Sequence, residues 1–409
     1  MNNFNELDCI SCLANYTNSM DSVLLQIGII YFLGHFLSFI FKKYKVPDVL
    51  IFMILGLTIG PILNIVQLEE FGKAGAVLST MALMVILFQS GVTLNLTSLA
   101  KVSLKGTVLT LVTFLFTTVL VILLSYPFTN SWILSAVTGI ILSGTSSAVV
   151  IPMSQALRLS DNAQNILLLE SSITDVLCII LTMTISMSLV SGKIDLGQIA
   201  SNISMSFLIA VLIGLIAGAV WSHYKSRFQP LSTIAFALVL YGFVSLQGFS
   251  GAIAVMAMGF AITNTKRFFP QIESQNLTDA ETTFYTELSF VLKTFFFIYL
   301  GVSLKLKSFS MLGVAALLTI AILVIRHFFN KIYFKNEYSQ TEINYMTLMI
   351  PKGLAAAVLA DVPVMAGLEG ADVIPPFVYS VVFVSILLVS ILVPFANRKD
   401  KLESNSEIV

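Results

Sequence analysis

The sequence predicts an all-α polytopic membrane protein of about 13 transmembrane helices, arranged as two inverted repeats with two crossing broken helices. Three observations predict it. The chain has 409 residues, of which 57% are hydrophobic and only 11% charged, with a mean hydropathy of +0.92; soluble domains carry about 25% charged residues. Runs of roughly 20 apolar residues, enough to cross a bilayer as helix, recur along the chain and leave no gap for a soluble domain. Two of those runs are interrupted in similar ways by glycine, proline and hydroxyl residues. The balance of 22 basic and 22 acidic residues carries no nucleic-acid footprint.

Thirteen hydrophobic segments lie near 22–41, 47–65, 75–95, 106–127, 132–156, 164–191, 198–222, 230–247, 250–264, 284–304, 308–330, 343–367 and 374–396. Residues 1–21 are expected to form an extracytoplasmic tail. That tail is acidic and lacks the basic region of a signal peptide, so the first segment reads as a retained span. Cys9 and Cys12 make a CxxC with no second ligand pair, and no zinc site is expected. Cys178, in an apolar helix, reads as a small core residue. The membrane domain runs from 22 to 396, and residues 397–409 form a short cytoplasmic tail.

Orientation follows from the basic residues. With the N-terminus outside, fifteen fall on the cytoplasmic side: Lys42, Lys43, Lys45, Lys101, Lys105, Arg158, Lys225, Arg227, Lys266, Arg267, Lys331, Lys335, Arg398, Lys399 and Lys401. Four fall outside: Lys73, Lys193, Lys305 and Lys307. The bias supports an odd number of spans in the cell membrane, with the C-terminus cytoplasmic.

The fifth segment reads ILSGTSSAVVIPMSQ (Ile141–Gln155), and the twelfth MIPKGLAAAVLADVP (Met349–Pro363). Proline and glycine free backbone groups that lipid cannot satisfy. Broken helices at corresponding places in two halves mark inverted-repeat transporters, with the substrate site where they meet. Segments two to seven and eight to thirteen read as the repeats.

The sixth segment holds LLLESSITDVLCII (Leu167–Ile180), with Glu170 and Asp175 inside an apolar run. A charge at mid-bilayer costs roughly 3 kcal/mol or more. Ser171 and Asp175 are four apart and share one helical stripe, with Thr174 beside them; Glu170 lies about 140° round the helix. Asp175 is about 16 Å into its span, near mid-bilayer. Such a carboxylate is neutralised either by a proton or by a bound cation, and the two states exclude each other. One carboxylate reached alternately from each side therefore suffices to exchange a proton for a small cation. Its hard oxygen ligands suit Na⁺ or Li⁺: Asp175, the Ser171 hydroxyl, and groups freed by the break at Thr145, Ser146 and Ser147.

Arg326, in the eleventh segment, either pairs with Glu170 or snorkels to the cytoplasmic end of its span. Lys352 sits at a helix break and either sets the local field or snorkels. Lys293 reads as interfacial and Asp361 as a vestibule residue. His35, His223 and His327 are isolated.

These residues and their order resemble the monovalent cation/proton antiporters, in particular the NhaP-like sodium/proton exchanger branch, over nearly the whole chain. VPDVLIFMILGLTIGP (Val46–Pro61) resembles that branch's second span and ILFQSGVTLNL (Ile86–Leu96) its third. GTSSAVVIP resembles the unwound fifth span, ESSITD the sixth, and SGAIAVMAMGFAITN (Ser250–Asn264) the ninth. FFFIYLGVSL is similar to the tenth, VIRHFFNKIYF to the arginine-bearing eleventh and IPKGLAAAV to the second broken helix. The resemblance implies that Asp175 carries the ion and the proton, that Ser171 is a cation ligand, and that Glu170 pairs with Arg326. It implies the sodium/proton antiporter fold, with a core domain that moves like an elevator (about 75–191 and 250–367), a dimerisation domain of the remaining helices, and a homodimer.

The chain departs from the pattern in places. Thr174 stands where the branch has Asn and electrogenic relatives have a second Asp. Ser146 replaces the acid of a Thr-Asp-Pro, Gln89 a frequent Glu, and Lys352 a usual arginine. The expected activity is exchange of Na⁺ or Li⁺ for H⁺, electroneutral and serving pH homeostasis, with K⁺/H⁺ antiport as the alternative. Potassium-type relatives generally add a cytoplasmic nucleotide-binding domain, for which the tail after 396 is too short. An intramembrane aspartyl protease using Asp175 and Asp361 is remote, because Asp361 lacks a GxGD loop. The chain is expected to be no enzyme and to need no cofactor. Its expected partners are monovalent cations and protons, membrane lipid and a second copy of itself.

Overall fold

The computed structural model describes residues 28–29, 31–37, 39, 47–65, 68–94, 104–190, 196–268, 278–304 and 309–406. The expectations for residues 1–21, Cys9, Cys12 and the lysines at 42, 43, 45, 101, 193, 305 and 307 lie outside the described residues. Among the described residues every regular element is helical.

In chain order these are α1 (Asp48–Leu57), which runs into a π turn at Thr58–Ile62 around Pro61, α2 (Leu68–Thr93) and α3 (Leu104–Thr129). The first broken segment follows as α4 (Trp132–Ser143) and α5 (Ser147–Ala156). Next come α6 (Asp161–Val190), α7 (Leu196–Tyr224), α8 (Pro230–Leu246), α9 (Gly251–Phe268), α10 (Asp279–Ser303) and α11 (Phe309–Phe334). The second broken segment is α12 (Gln340–Leu348), α13 (Leu354–Ala360) and the short α14 (Val362–Met365), and α15 (Ile374–Ser406) closes the chain. Seven described helices or helix pairs are long and apolar enough to cross a membrane, and Asp48–Ile62, Val77–Thr93, Pro230–Leu246 and Leu354–Met365 are shorter apolar helices.

Local chemistry explains the boundaries. Ser131 caps α4, its hydroxyl accepting from the Leu134 amide at 3.4 Å. Gly144 ends α4 in an extended conformation, φ −69° and ψ 156°. Thr278 and Glu281 form a reciprocal capping box at the start of α10. Ser339 caps α12, accepting from the Glu342 amide at 3.2 Å.

The helices pack as two bundles. One gathers α1, α2, α7, α8, α9 and α10; the other gathers α3 to α6 with α11 to α15. This divides the chain differently from the expected core of 75–191 and 250–367, because α2, α9 and α10 pack with α1 and α7. Glycines set the approach: a Cβ on Gly91 would run into the Met256 carbonyl, and one on Gly259 into the Phe88 carbonyl. Small residues at such crossings let backbones touch where lipid offers no hydrophobic drive. The bundles meet where α13 lies on α2 and α10, α15 on α1, and α6 on α7 and α9.

The repeats also align differently from two to seven with eight to thirteen. That offset would pair the broken fifth segment with α11, which is one uninterrupted helix. The breaks fall in the fifth and twelfth segments, seven spans apart, and an odd offset inverts each partner. The packing agrees: α4 lies on α3 as α12 lies on α11, and α4 and α5 contact α6 as α12 and α13 contact α15. The segment α7 then joins the two halves. The broken helices are central: Val137, Ile141, Leu142, Leu359 and Ala360 have no exposed surface, whereas Leu208, Leu212, Ile216 and Val220 form an open apolar stripe on α7.

Candidate ion site

The two breaks are tied to each other. The Ser146 amide donates to the Pro351 carbonyl at 2.9 Å, and the Lys352 ammonium donates to the Gly144 carbonyl at 2.9 Å. The Lys352 amide donates to Ser385 Oγ on α15 at 3.0 Å. Lys352 is only 2% exposed, so it does not snorkel. It spans the crossing and engages a carbonyl at the C-terminal end of α4, where a cation is favoured. Gly353 permits this contact, since a Cβ there would collide with Ser146 Cβ and Oγ. Gly353→Ala is expected to force the breaks apart. Thermal unfolding should show a loss of about 1–3 kcal/mol, with a slower exchange rate in liposomes.

Helix α6 runs past the crossing. The Thr174 hydroxyl accepts from the Thr145 amide at 3.2 Å and donates to the Ser171 carbonyl at 3.2 Å. The Cys178 thiol donates to the Ile140 carbonyl at 3.0 Å. Ser147 Oγ donates to Asp175 Oδ2 at 3.2 Å. Asp175 is 5% exposed and takes part in no ion pair among the described residues.

Two small cavities flank α6, each about 10 Å³, roughly room for one water. The first holds Asp175 with Ser146, Ser147, Ala148, Leu354 and Ala355, and with Leu83, Ile86 and Leu87 of the other bundle. The second holds Thr145, Thr174, Glu170, Arg326 and Lys352 with Ser143, Thr113 and Thr117. The structure thus places Asp175, Ser146 and Ser147 together, and puts Thr145 and Thr174 on the other side of the crossing. Ser171 lines neither cavity; it is fully buried, and its hydroxyl donates to the Leu168 carbonyl at 3.0 Å. Gln89 also lines neither and donates to Thr286 at 3.5 Å within its own bundle.

Glu170 and Arg326 form a bidentate pair. Nη1 meets Oε1, and Nη2 donates to Oε2 at 2.7 Å. Arg326 Nε donates to the Met346 carbonyl at 3.0 Å. The pair therefore links α6 and α11 to the last turn before the second break. Thr113 and Thr117 were not singled out from sequence, although two hydroxyls four residues apart on an apolar helix are a readable stripe. Ser90 and Ser172, 3.2 Å apart, bridge the two bundles.

A cleft of about 640 Å³ opens between the bundles at the end where α5 finishes. It is lined by His35, Asp48, Glu287 and Lys293 and runs along Val149, Pro152 and Gln155 to Ala148. Ala148 also lines the Asp175 cavity, so the cleft leads toward that carboxylate. Lys293, read from sequence as interfacial, is a wall of the cleft. Asp361 lines none of these spaces; its carboxylate accepts from the Tyr379 hydroxyl at 3.0 and 3.1 Å. Among the described residues no three His, Cys, Asp or Glu side chains converge, and Asp175 is the one acid in its cavity.

A family profile described as "Sodium/hydrogen exchanger, transmembrane" matches residues 28–398. Among curated proteins, the chain is 27% identical over 380 residues to "Na(+)/H(+) antiporter 1" of Methanocaldococcus jannaschii, covering 85% of each. It is 25% identical over 272 residues to "Ammonium/H(+) antiporter subunit AmhT" of Alkalihalophilus pseudofirmus, covering 60% of this chain and 63% of that protein. It is 24% identical over 279 residues to "K(+)/H(+) antiporter NhaP" of Alkalimonas amylolytica, covering 62% of this chain and 46% of that protein. Among solved structures, the fold is similar to the sodium proton antiporter MjNhaP1 of Methanocaldococcus jannaschii, with a TM-score of 0.73 at 21% identity, covering 92% of this chain and 98% of that one.

Proposed function

The chain belongs to the sodium/hydrogen exchanger family, and from that premise we propose that it is an electroneutral antiporter exchanging one Na⁺ or Li⁺ for one H⁺ at Asp175. One observation carries the proposal. Asp175 is a carboxylate buried where two broken helices cross, with a hydroxyl partner and no cationic one among the described residues. Neutralising it takes a proton or a cation, and the cavity has no room for both. Ser146 and Ser147, which share its cavity, are the proposed ligands, and Ser171 and Thr174 on the same helix and Thr145 at the break are the proposed supports. Glu170 is engaged by Arg326 and is not assigned to the exchange.

Exchange then needs the cleft side and the opposite side to reach Asp175 in turn. The two-bundle packing supports an elevator in which the bundle bearing both breaks slides along α2 and α10, while the other bundle makes a homodimer in the cell membrane, N-terminus outside. The carrier moves ions without chemical conversion of a substrate. A potassium or ammonium reading has its own support. The oxygens around Asp175 are neutral hydroxyls rather than further acids, and two relatives are named for those cations.

The test is transport in proteoliposomes, with Na⁺, Li⁺, K⁺ and NH₄⁺ each set against an imposed pH gradient and each rate taken above that of protein-free liposomes, because NH₃ crosses lipid unaided. Na⁺ and Li⁺ are expected to dissipate the gradient. Dissipation by K⁺ or NH₄⁺ alone would move the assignment to the second reading, and no response to any cation would remove it. Electroneutrality is a separate expectation, because the site takes up one positive charge, a proton or a cation, and has the same net charge in either loaded state. Na⁺/H⁺ exchange should keep its rate when a potential is imposed by K⁺ and valinomycin in a carrier shown not to move K⁺. A rate that climbs steeply with the potential would mean that a second group, with Lys352 the first candidate, gives up its proton during the cycle.

A further inference from the structure

Asp175 faces the other bundle, since Leu83, Ile86 and Leu87 of α2 line its cavity. Along α6, Thr182 and Ser186 return to the stripe of Asp175, within about 20° of it and about 10 and 16 Å nearer the Val190 end. Both residues are fully buried, and neither hydroxyl has a hydrogen-bond partner among the described residues. That is unusual for these helices. Thr110, Thr113, Thr138 and Thr319 each donate to the carbonyl four residues back. A buried hydroxyl with no partner is destabilising, so the present arrangement of the bundles is held against the preference of these two groups for water. The cleft, meanwhile, reaches Asp175 from the Ala156 end, and leaves the Val190 end of the stripe sealed.

We propose that Thr182 and Ser186 line the second access route to Asp175, the one that opens at the Val190 end when the cleft closes. In that arrangement, water and a partly hydrated cation supply the partners these hydroxyls now lack. Neutral hydroxyls suit such a route, because they solvate a passing monovalent cation without trapping it as a carboxylate would. They also bias the carrier toward its other state, because burying them without a protein partner disfavours the cleft-open arrangement. The proposal rests on the exchange reading only for the identity of what passes; the route itself is a statement about access.

The experiment uses the reconstituted full chain with Cys9, Cys12 and Cys178 changed to Ser, and then Thr182→Cys or Ser186→Cys. A membrane-impermeant thiosulfonate is applied from each side during a pH-gradient assay with Na⁺. Both positions are expected to react from the Val190 side, and the label should stop exchange. Exchange-competent variants that stay unlabelled, or that react only from the cleft side, would overturn the route. If the cysteine-free parent moves no cation against protons yet both positions react from the Val190 side, the route stands and the exchange reading falls. A second variant needs no label. Thr182→Val combined with Ser186→Ala should raise the unfolding temperature yet slow exchange about fivefold or more, as the cleft-open state loses its destabilising groups. A double variant that exchanges at the parent rate overturns the proposal.

Discussion

Asp175→Asn is expected to reduce cation-coupled proton movement to the rate of protein-free liposomes. The amide keeps the shape of the side chain and can keep the contact with Ser147. It can neither release a proton nor offer a negative charge to a cation, so both loaded states disappear. Stability should not fall with activity. The carboxylate is buried without a cationic partner among the described residues, and an unpaired buried charge is a burden that the amide removes. The unfolding temperature in detergent should therefore hold or rise while transport vanishes. Normal Na⁺-driven proton flux in this variant would remove Asp175 from its assigned role.

Glu170 and Arg326 should behave in the opposite way, with large losses of stability. Each single neutral variant, Glu170→Gln or Arg326→Met, strands the other charge inside the second bundle, at a cost of roughly 3–5 kcal/mol. Arg326→Met should cost more than Glu170→Gln, because Arg326 also donates to the Met346 carbonyl beside the second break. The double variant should regain part of the loss, and thermal unfolding of all four proteins measures the coupling. Strict additivity would show that the pair contributes nothing as a pair.

The fold was legible because lipid narrows the options. Composition announces a helical membrane protein, and Gly144 and the Pro351–Gly353 run mark the two breaks to within a residue or two. Helical angle turned Glu170 away from Asp175, but the residues alone left Arg326 open between pairing with it and snorkelling. The bundle boundaries did not follow. Hydropathy marks α2, α9 and α10 as apolar helices but holds no record of which neighbour each chooses. The close approaches that decide it run through Gly91 and Gly259, and many glycines in these segments look the same in sequence.

At the site, counting along α6 put Ser171, Thr174 and Asp175 in one neighbourhood of that helix. It could not show that Thr174 would be taken up by the Thr145 amide, on the far side of the crossing from Asp175. Nor could it show that Lys352 would reach the Gly144 carbonyl, because both partnerships depend on how two broken helices cross. Thr182 and Ser186 carry no signal in the sequence for a related reason. Hydroxyls in apolar helices ordinarily bond to their own backbone, and only the structure shows that these two do not.

Exchange at Asp175 requires that one carboxylate hold either a proton or a cation. Calorimetric titration of the purified carrier with Na⁺, in two buffers of different ionisation enthalpy, probes this by counting protons released per cation bound. A single binding event should release one proton when the carrier starts protonated and none at a pH where Asp175 is already ionised. Asp175→Asn should show neither binding nor release. Cation binding that releases no proton at any pH, or that persists in Asp175→Asn, would contradict the shared-carboxylate mechanism.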